Sequence, residues 1–234
     1  LGLRRWPREL RYLLVASCLV NMMNAITQSA IFDAYLLEMP EGSNAFVGAV
    51  ESARGIATLL VAVPIGWAAD RWPKFQVLRW NCVMGLVSCL LLAVGVPLDS
   101  LPLIIAGSVT SGMHMQGLLG TVPAVISELT ARGDERTRAM GDAQTWRSLG
   151  TASGPALQLL LTLVLRTSTW DTSELHWIIC FGLLLFPFYV AVIFLAQAPG
   201  TELAARELTV TVPNDRVAKA ENGIQVVSGR RPGA

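Results

Sequence analysis

Long apolar runs separated by short polar, basic ones set the pattern of the chain. Six runs stand apart, at about residues 12–37, 46–69, 77–97, 101–126, 139–165 and 176–196, each near the roughly 20 residues a helix needs to cross hydrocarbon. None shows the period-two alternation of a membrane barrel strand. Hydrocarbon offers no water to a backbone N–H or C=O, so every run is expected to be helical. The pattern predicts an all-α fold, an integral membrane six-helix bundle over residues 12–197, behind a cytoplasmic N-terminal segment at 1–11. The first run is too long for a signal peptide core. After Gln197 the apolar periodicity stops, and Thr, Glu, Ala, Asn, Gly and Arg with Pro199, Pro213 and Pro232 predict a disordered cytoplasmic tail or linker at 198–234.

Composition agrees with this picture. With 53% hydrophobic and 15% charged residues the chain has too few charges to cover a soluble surface, so the lipid bilayer is the expected partner. Net charge is +1 and the basic residues form short clusters, which excludes the broad basic face of a nucleic-acid binder. Arg4, Arg5, Arg8 and Arg11, then Arg71, Lys74 and Arg79, then Arg132, Arg136 and Arg138 fall on one side of a six-span topology. The other side holds at most Arg166 beside Glu38, Glu41, Asp99, Asp171 and Glu174, which predicts that both termini are cytoplasmic. Cys18, Cys82, Cys89 and Cys180 lie inside apolar runs without C-x-x-C spacing or a nearby His pair, so neither a disulfide framework nor a metal site is expected. No phosphate-binding loop occurs, and no cofactor is expected.

Polar residues within the runs fall in stripes. Ser17, Asn21, Asn24 and Gln28 share one face of span one; Glu51, Arg54 and Thr58 share one of span two; Ser111, His114 and Thr121 one of span four; Gln144, Arg147, Thr151, Gly154 and Gln158 one of span five. Span six has no charged or amide side chain between Trp177 and Ala196, and span three has only Asn81, Ser88 and two cysteines. Intramembrane polar groups are costly, so spans one, two, four and five are expected to line something polar, with three and six facing lipid. The bland alternative is that each stripe makes interhelical hydrogen bonds worth about 1 kcal/mol apiece. Candidate substrate or coupling-ion residues are Glu51, Arg54, Asn24, Gln28, His114, Gln144, Arg147 and Gln158. Glu51 and Arg54, one turn apart, either serve a site or neutralise each other; Arg147 either meets an anion or snorkels to the interface; His114 is either packed or a proton carrier.

Between spans two and three the chain reads Gly66-Trp67-Ala68-Ala69-Asp70-Arg71-Trp72-Pro73-Lys74. This resembles the cytoplasmic G-x-x-x-D-[RK]-x-G-[RK] signature of the major facilitator superfamily, with Pro73 in place of its second Gly and Phe75 in place of the next basic residue. Gly66 allows close helix approach, while Asp70, Arg71 and Lys74 offer a latch that Glu128 is placed to join. Asp134-Glu135-Arg136-Thr137-Arg138-Ala139-Met140-Gly141 looks like the start of span five in many members. Gly150-x-x-x-Gly154-Pro155 is similar to the start of the family's antiporter helix-packing motif without its trailing glycines. The resemblance covers about residues 8–197.

It implies one half of a twelve-helix secondary transporter that moves a small solute by alternating access, with H+ or another ion as a possible coupling partner. The gating motif would then comprise Gly66, Asp70, Arg71, Lys74, Glu128 and Arg136. Residues 198–234 would be a tail or the linker between halves. A start at Leu1 and six spans lead to the expectation that the sequence is incomplete, its other half lying elsewhere or supplied by a second copy. The alternative is a non-transporting receptor or scaffold with the same fold. An intramembrane serine protease using Ser153 and His176 is disfavoured, because Thr151 stands where G-x-S-G needs Gly and the two side chains fall at different depths. No enzymatic activity is expected.

Overall fold

The structure, a computed structural model, describes residues 3–40, 42–131, 133–165 and 172–196. The predicted tail or linker at 198–234, and Glu41, Arg132, Arg166 and Asp171, lie outside the described residues. All regular structure among the described residues is helical: α1 (Arg8–Thr27), α2 (Ala30–Glu38), α3 (Asn44–Arg71), α4 (Lys74–Gly95), α5 (Leu101–Leu129), α6 (Asp134–Leu165), α7 (Thr172–Leu184) and α8 (Phe186–Leu195), after a single 3-10 turn at Leu3–Arg5. Pairs α1/α2 and α7/α8 each form one broken span, so the six apolar runs become six spans.

Local chemistry fixes where the helices stop. Ser43 caps α3, its Oγ accepting from the Phe46 N–H at 3.1 Å. The same helix ends at Trp72, held extended (φ −111°, ψ 157°) by the following Pro73. Gly133, before α6, has φ +96°, a conformation other residues adopt at a cost, and Asp134 and Glu135 then sit in the first turn where the helix dipole favours acid. The α7/α8 break follows from Pro187, which has no N–H to offer the Leu183 carbonyl. Cys89 Sγ donates to that carbonyl instead, at 3.6 Å. The break in span one has neither Pro nor Gly. Gln158 reaches across from α6 and donates to the Ile26 carbonyl at 2.9 Å and to Ser29 Oγ at 2.7 Å, satisfying groups that a helix end leaves open.

The most extensive helix pairings are α4 with α5, α1 with α6 and α3 with α5. One apolar core lies toward the basic end, with Leu10, Leu13, Leu78, Val125, Ile126 and Tyr189 among its members. A second lies toward the other end around Phe32, Tyr35, Leu92, Ile104 and Ile179. Arg8–Glu38, Asn44–Arg71, Lys74–Gly95 and Leu175–Leu195 are long and apolar enough to cross a membrane on their own. The α5 and α6 helices have the length, but Ser, Thr, Gly, Gln and His in α5, and charged residues with Ser, Thr, Gly and Gln in α6, dilute the apolar signal. Ile56, Leu60 and Val63 on α3, Leu86 and Leu90 on α4, and Leu159 and Leu163 on α6 are exposed, an apolar exterior suited to lipid. Outward apolar faces therefore occur on spans two and five as well as on three and six.

Candidate functional site

The α1 and α6 helices approach closely because Gly150 and Gly154 of α6 face α1. A Cβ at Gly154 would lie 2.5 Å from Ala25 Cβ, and one at Gly150 would overlap the Cys18 carbonyl oxygen. This contact lies beside the polar stripe of α1, leaving Ser17 and Asn21 to open onto a cavity of about 270 Å³ between α1, α5, α6 and α8. Leu118, Leu119, Val122 and Met115 of α5 form one wall, Met140, Gln144 and Arg147 of α6 another, and Tyr189 and Ile193 of α8 the floor. Ser17 Oγ donates to the Leu13 carbonyl at 2.9 Å, and Asn21 Nδ2 donates to the Ser17 carbonyl at 2.7 Å. Both side chains keep acceptor capacity after these bonds. Further along the stripe, Asn24 Oδ1 and both amide atoms of Gln28 are buried with no hydrogen-bond partner among the described residues.

The other six candidate residues separate into three places. Gln144 and Arg147 line the cavity. Glu51 and Arg54 pair with each other at 3.2 Å outside its walls, and Asp33 is within electrostatic reach of both. The Arg54 stem packs on Gly112 of α5, where a Cβ would lie 2.8 Å from Arg54 Cγ. His114 and Gln158 are structural neighbours of other helices. The His114 Nδ1 donates to the Asn81 carbonyl of α4 at 2.8 Å, Asn81 Nδ2 donates back to the His114 carbonyl at 3.0 Å, and the ring stands edge to face against Phe186 and Tyr189. The α5 stripe thus faces α4 and α8 within the bundle.

At the basic end, Lys74 pairs with Glu128, joining the start of α4 to the end of α5. Arg136 donates to the Ser127 carbonyl at 2.7 Å, where the α5 carbonyls run out of helical partners. Arg71 lies over the Trp67 ring at 4.6 Å. Asp70 makes no hydrogen bond or ion pair among the described residues, and a Cβ at Gly66 would meet nothing within 4 Å. The close helix approach expected at Gly66 is therefore not made within this bundle. Lys74 and Glu128 are partly exposed, so Glu128→Ala is expected to change stability by less than about 1 kcal/mol, read as a small shift in the thermal midpoint of the purified protein.

Sequence reasoning missed the apolar wall of the cavity and the partners Asn81, Asp142 and Asp99. Trp6 Nε1 donates to Asp142 Oδ2 at 2.7 Å, and Asp99 Oδ1 accepts from Tyr35 at 3.0 Å and lies 3.2 Å from His176 Nε2. These pairs are separated by 64 to 136 positions, and no local pattern signals them.

A helical membrane bundle with a polar-edged cavity among its spans fits a membrane transport protein. The chain belongs to the Major Facilitator Superfamily, whose family model matches residues 13–226. Members of that family are membrane transporters. Comparison with curated proteins found no match.

Proposed function

We propose that the chain forms one half of a secondary active transporter that moves a small solute by alternating access. The observation that carries this reading is the cavity flanked by α1, α5 and α6, with the Asn21 and Gln144 amides and the Arg147 guanidinium on its walls. The second half is a C-terminal partner or a second copy, and the unpartnered Asp70 and Gly66 are its contact points. Both termini and the basic end are cytoplasmic. The coupling ion is a proton, carried by Glu51, which pairs with Arg54 at 3.2 Å, or by Asp33 nearby.

The test is uptake of a broad solute panel into vesicles carrying the protein, with and without a proton gradient. Gradient-driven flux is expected, falling at least about tenfold in Glu51→Gln. Flux unchanged by that substitution removes Glu51 from the coupling site, and no flux for any solute replaces transport with the scaffold reading.

A further inference from the structure

The cavity carries a single formal charge. Arg147 lies half-buried on its wall, about 20 Å along α6 from the first residue of that helix. Its guanidinium makes no hydrogen bond, ion pair or ring contact with any described residue. No carboxylate lines the cavity. Asp142, the acidic residue of α6 closest to Arg147 in sequence, has Oδ2 engaged by Trp6 Nε1.

These facts define a ligand. A guanidinium is always charged and presents a planar fork of donors that fits a carboxylate with two parallel bonds. Half-buried on a largely apolar wall without a counter-charge, it is placed to pair with an anion. Gln144, about one turn away on the same helix, places amide donors on the same wall. The remaining surface is mainly apolar, with Met115, Leu118, Val122, Met140 and Ile193 contributing. A small inorganic anion would surrender its hydration to those side chains for nothing, whereas an apolar body would gain from them. Two methionines give a wall that adapts to different apolar shapes. The volume, about 270 Å³, is just below the roughly 300–1,000 Å³ typical of small-molecule sites.

We propose that this cavity binds an amphipathic organic monoanion, its acidic headgroup forked on Arg147 and hydrogen-bonded by Gln144, its apolar body against the methionine and aliphatic wall. The proposal rests on the transporter reading and names the substrate class for it.

Binding and flux are measured separately to keep the two distinguishable. The purified chain in lipid nanodiscs is titrated calorimetrically with 4-phenylbutyrate, 4-phenylbutyramide and 4-phenylbutylamine, one apolar body under three headgroups, against empty nanodiscs as the blank. The carboxylate is expected to bind at least about tenfold tighter than the amide, and the ammonium weakest of the three. Arg147→Gln is expected to erase the gap between carboxylate and amide. Arg147→Lys, which keeps charge without the fork, retains a reduced gap and serves as the second variant should the first misfold. Equal affinity for carboxylate and amide, preference for the ammonium, a gap that survives Arg147→Gln, or no binding by any of the three overturns the proposal. Carboxylate preference in nanodiscs with no uptake into vesicles overturns transport and leaves this site standing; uptake without that preference does the reverse.

Discussion

Gly150→Ala is expected to break the α1–α6 pair, while Gly141→Ala on the same helix leaves it intact. The ideal Cβ at Gly150 overlaps the Cys18 carbonyl oxygen and lies 3.0 Å from its carbon, and both are backbone atoms that cannot rotate aside. One turn on, the Cβ at Gly154 would meet Ala25 Cβ at 2.5 Å and the Ala25 carbonyl carbon at 3.2 Å. The two glycines therefore fix the helix separation together, as small-x-x-x-small pairs do in membranes, and relief at one requires moving α1 along its length. Overpacking usually costs about 1–3 kcal/mol, and with backbone as the obstacle the loss should reach the upper end of that range. Gly141 has nothing within 4 Å of an added Cβ, so alanine there only removes a helix glycine and should gain up to about 1 kcal/mol. Thermal unfolding in nanodiscs, followed by tryptophan fluorescence, compares the two. Equal midpoints would mean that α1 and α6 do not approach at these glycines.

The Gly150-x-x-x-Gly154 spacing was legible in the sequence because spacing is what a helix preserves, but its partner helix α1 was not. The six runs were legible for the same reason, since lipid imposes length and apolarity on each span. Lys74 and Glu128 were legible as opposite charges at one end of adjacent spans, and the pair forms. Direction was not legible. A stripe such as Ser111, His114 and Thr121 shows which residues share a face and leaves open which neighbour meets it; here the partner is Asn81, 33 positions away on a helix with few polar residues. The same limit applies to Gln158, whose partners at Ile26 and Ser29 exist only because span one breaks there. No residue type at that break announces it, whereas Pro187 does announce the break in span six. Arg147 reads from the sequence as a cavity group or as a snorkelling one, and in the structure it lines the cavity, half-buried.

His114→Ala is expected to cost about 3 kcal/mol, the lower end for deleting a buried aromatic ring. The imidazole is 2% exposed and fills the junction of α4, α5 and α8, with the Phe186 and Tyr189 ring centroids each 5.8 Å away. A carbonyl oxygen only accepts, so the 2.8 Å contact to Asn81 requires the hydrogen on Nδ1, while Nε2 is enclosed with no partner among the described residues. Gly85 of α4 is part of the same junction, since a Cβ there would lie 2.6 Å from Phe186 Cζ and 2.7 Å from His114 Cε1. Alanine at 114 therefore opens a void that three helices border and removes one of two reciprocal side-chain-to-carbonyl bonds between α4 and α5. His114→Phe separates packing from proton chemistry. It keeps a ring of similar bulk and loses the Nδ1 donor, so its stability penalty should be about 1 kcal/mol. A proton carrier replaced in this way would lose gradient-driven flux despite a near-normal midpoint. The burial of His114 away from the cavity leads to the opposite expectation: flux retained in His114→Phe, and protein lost to instability in His114→Ala. Flux abolished in the phenylalanine variant at an unchanged thermal midpoint would return His114 to the proton path.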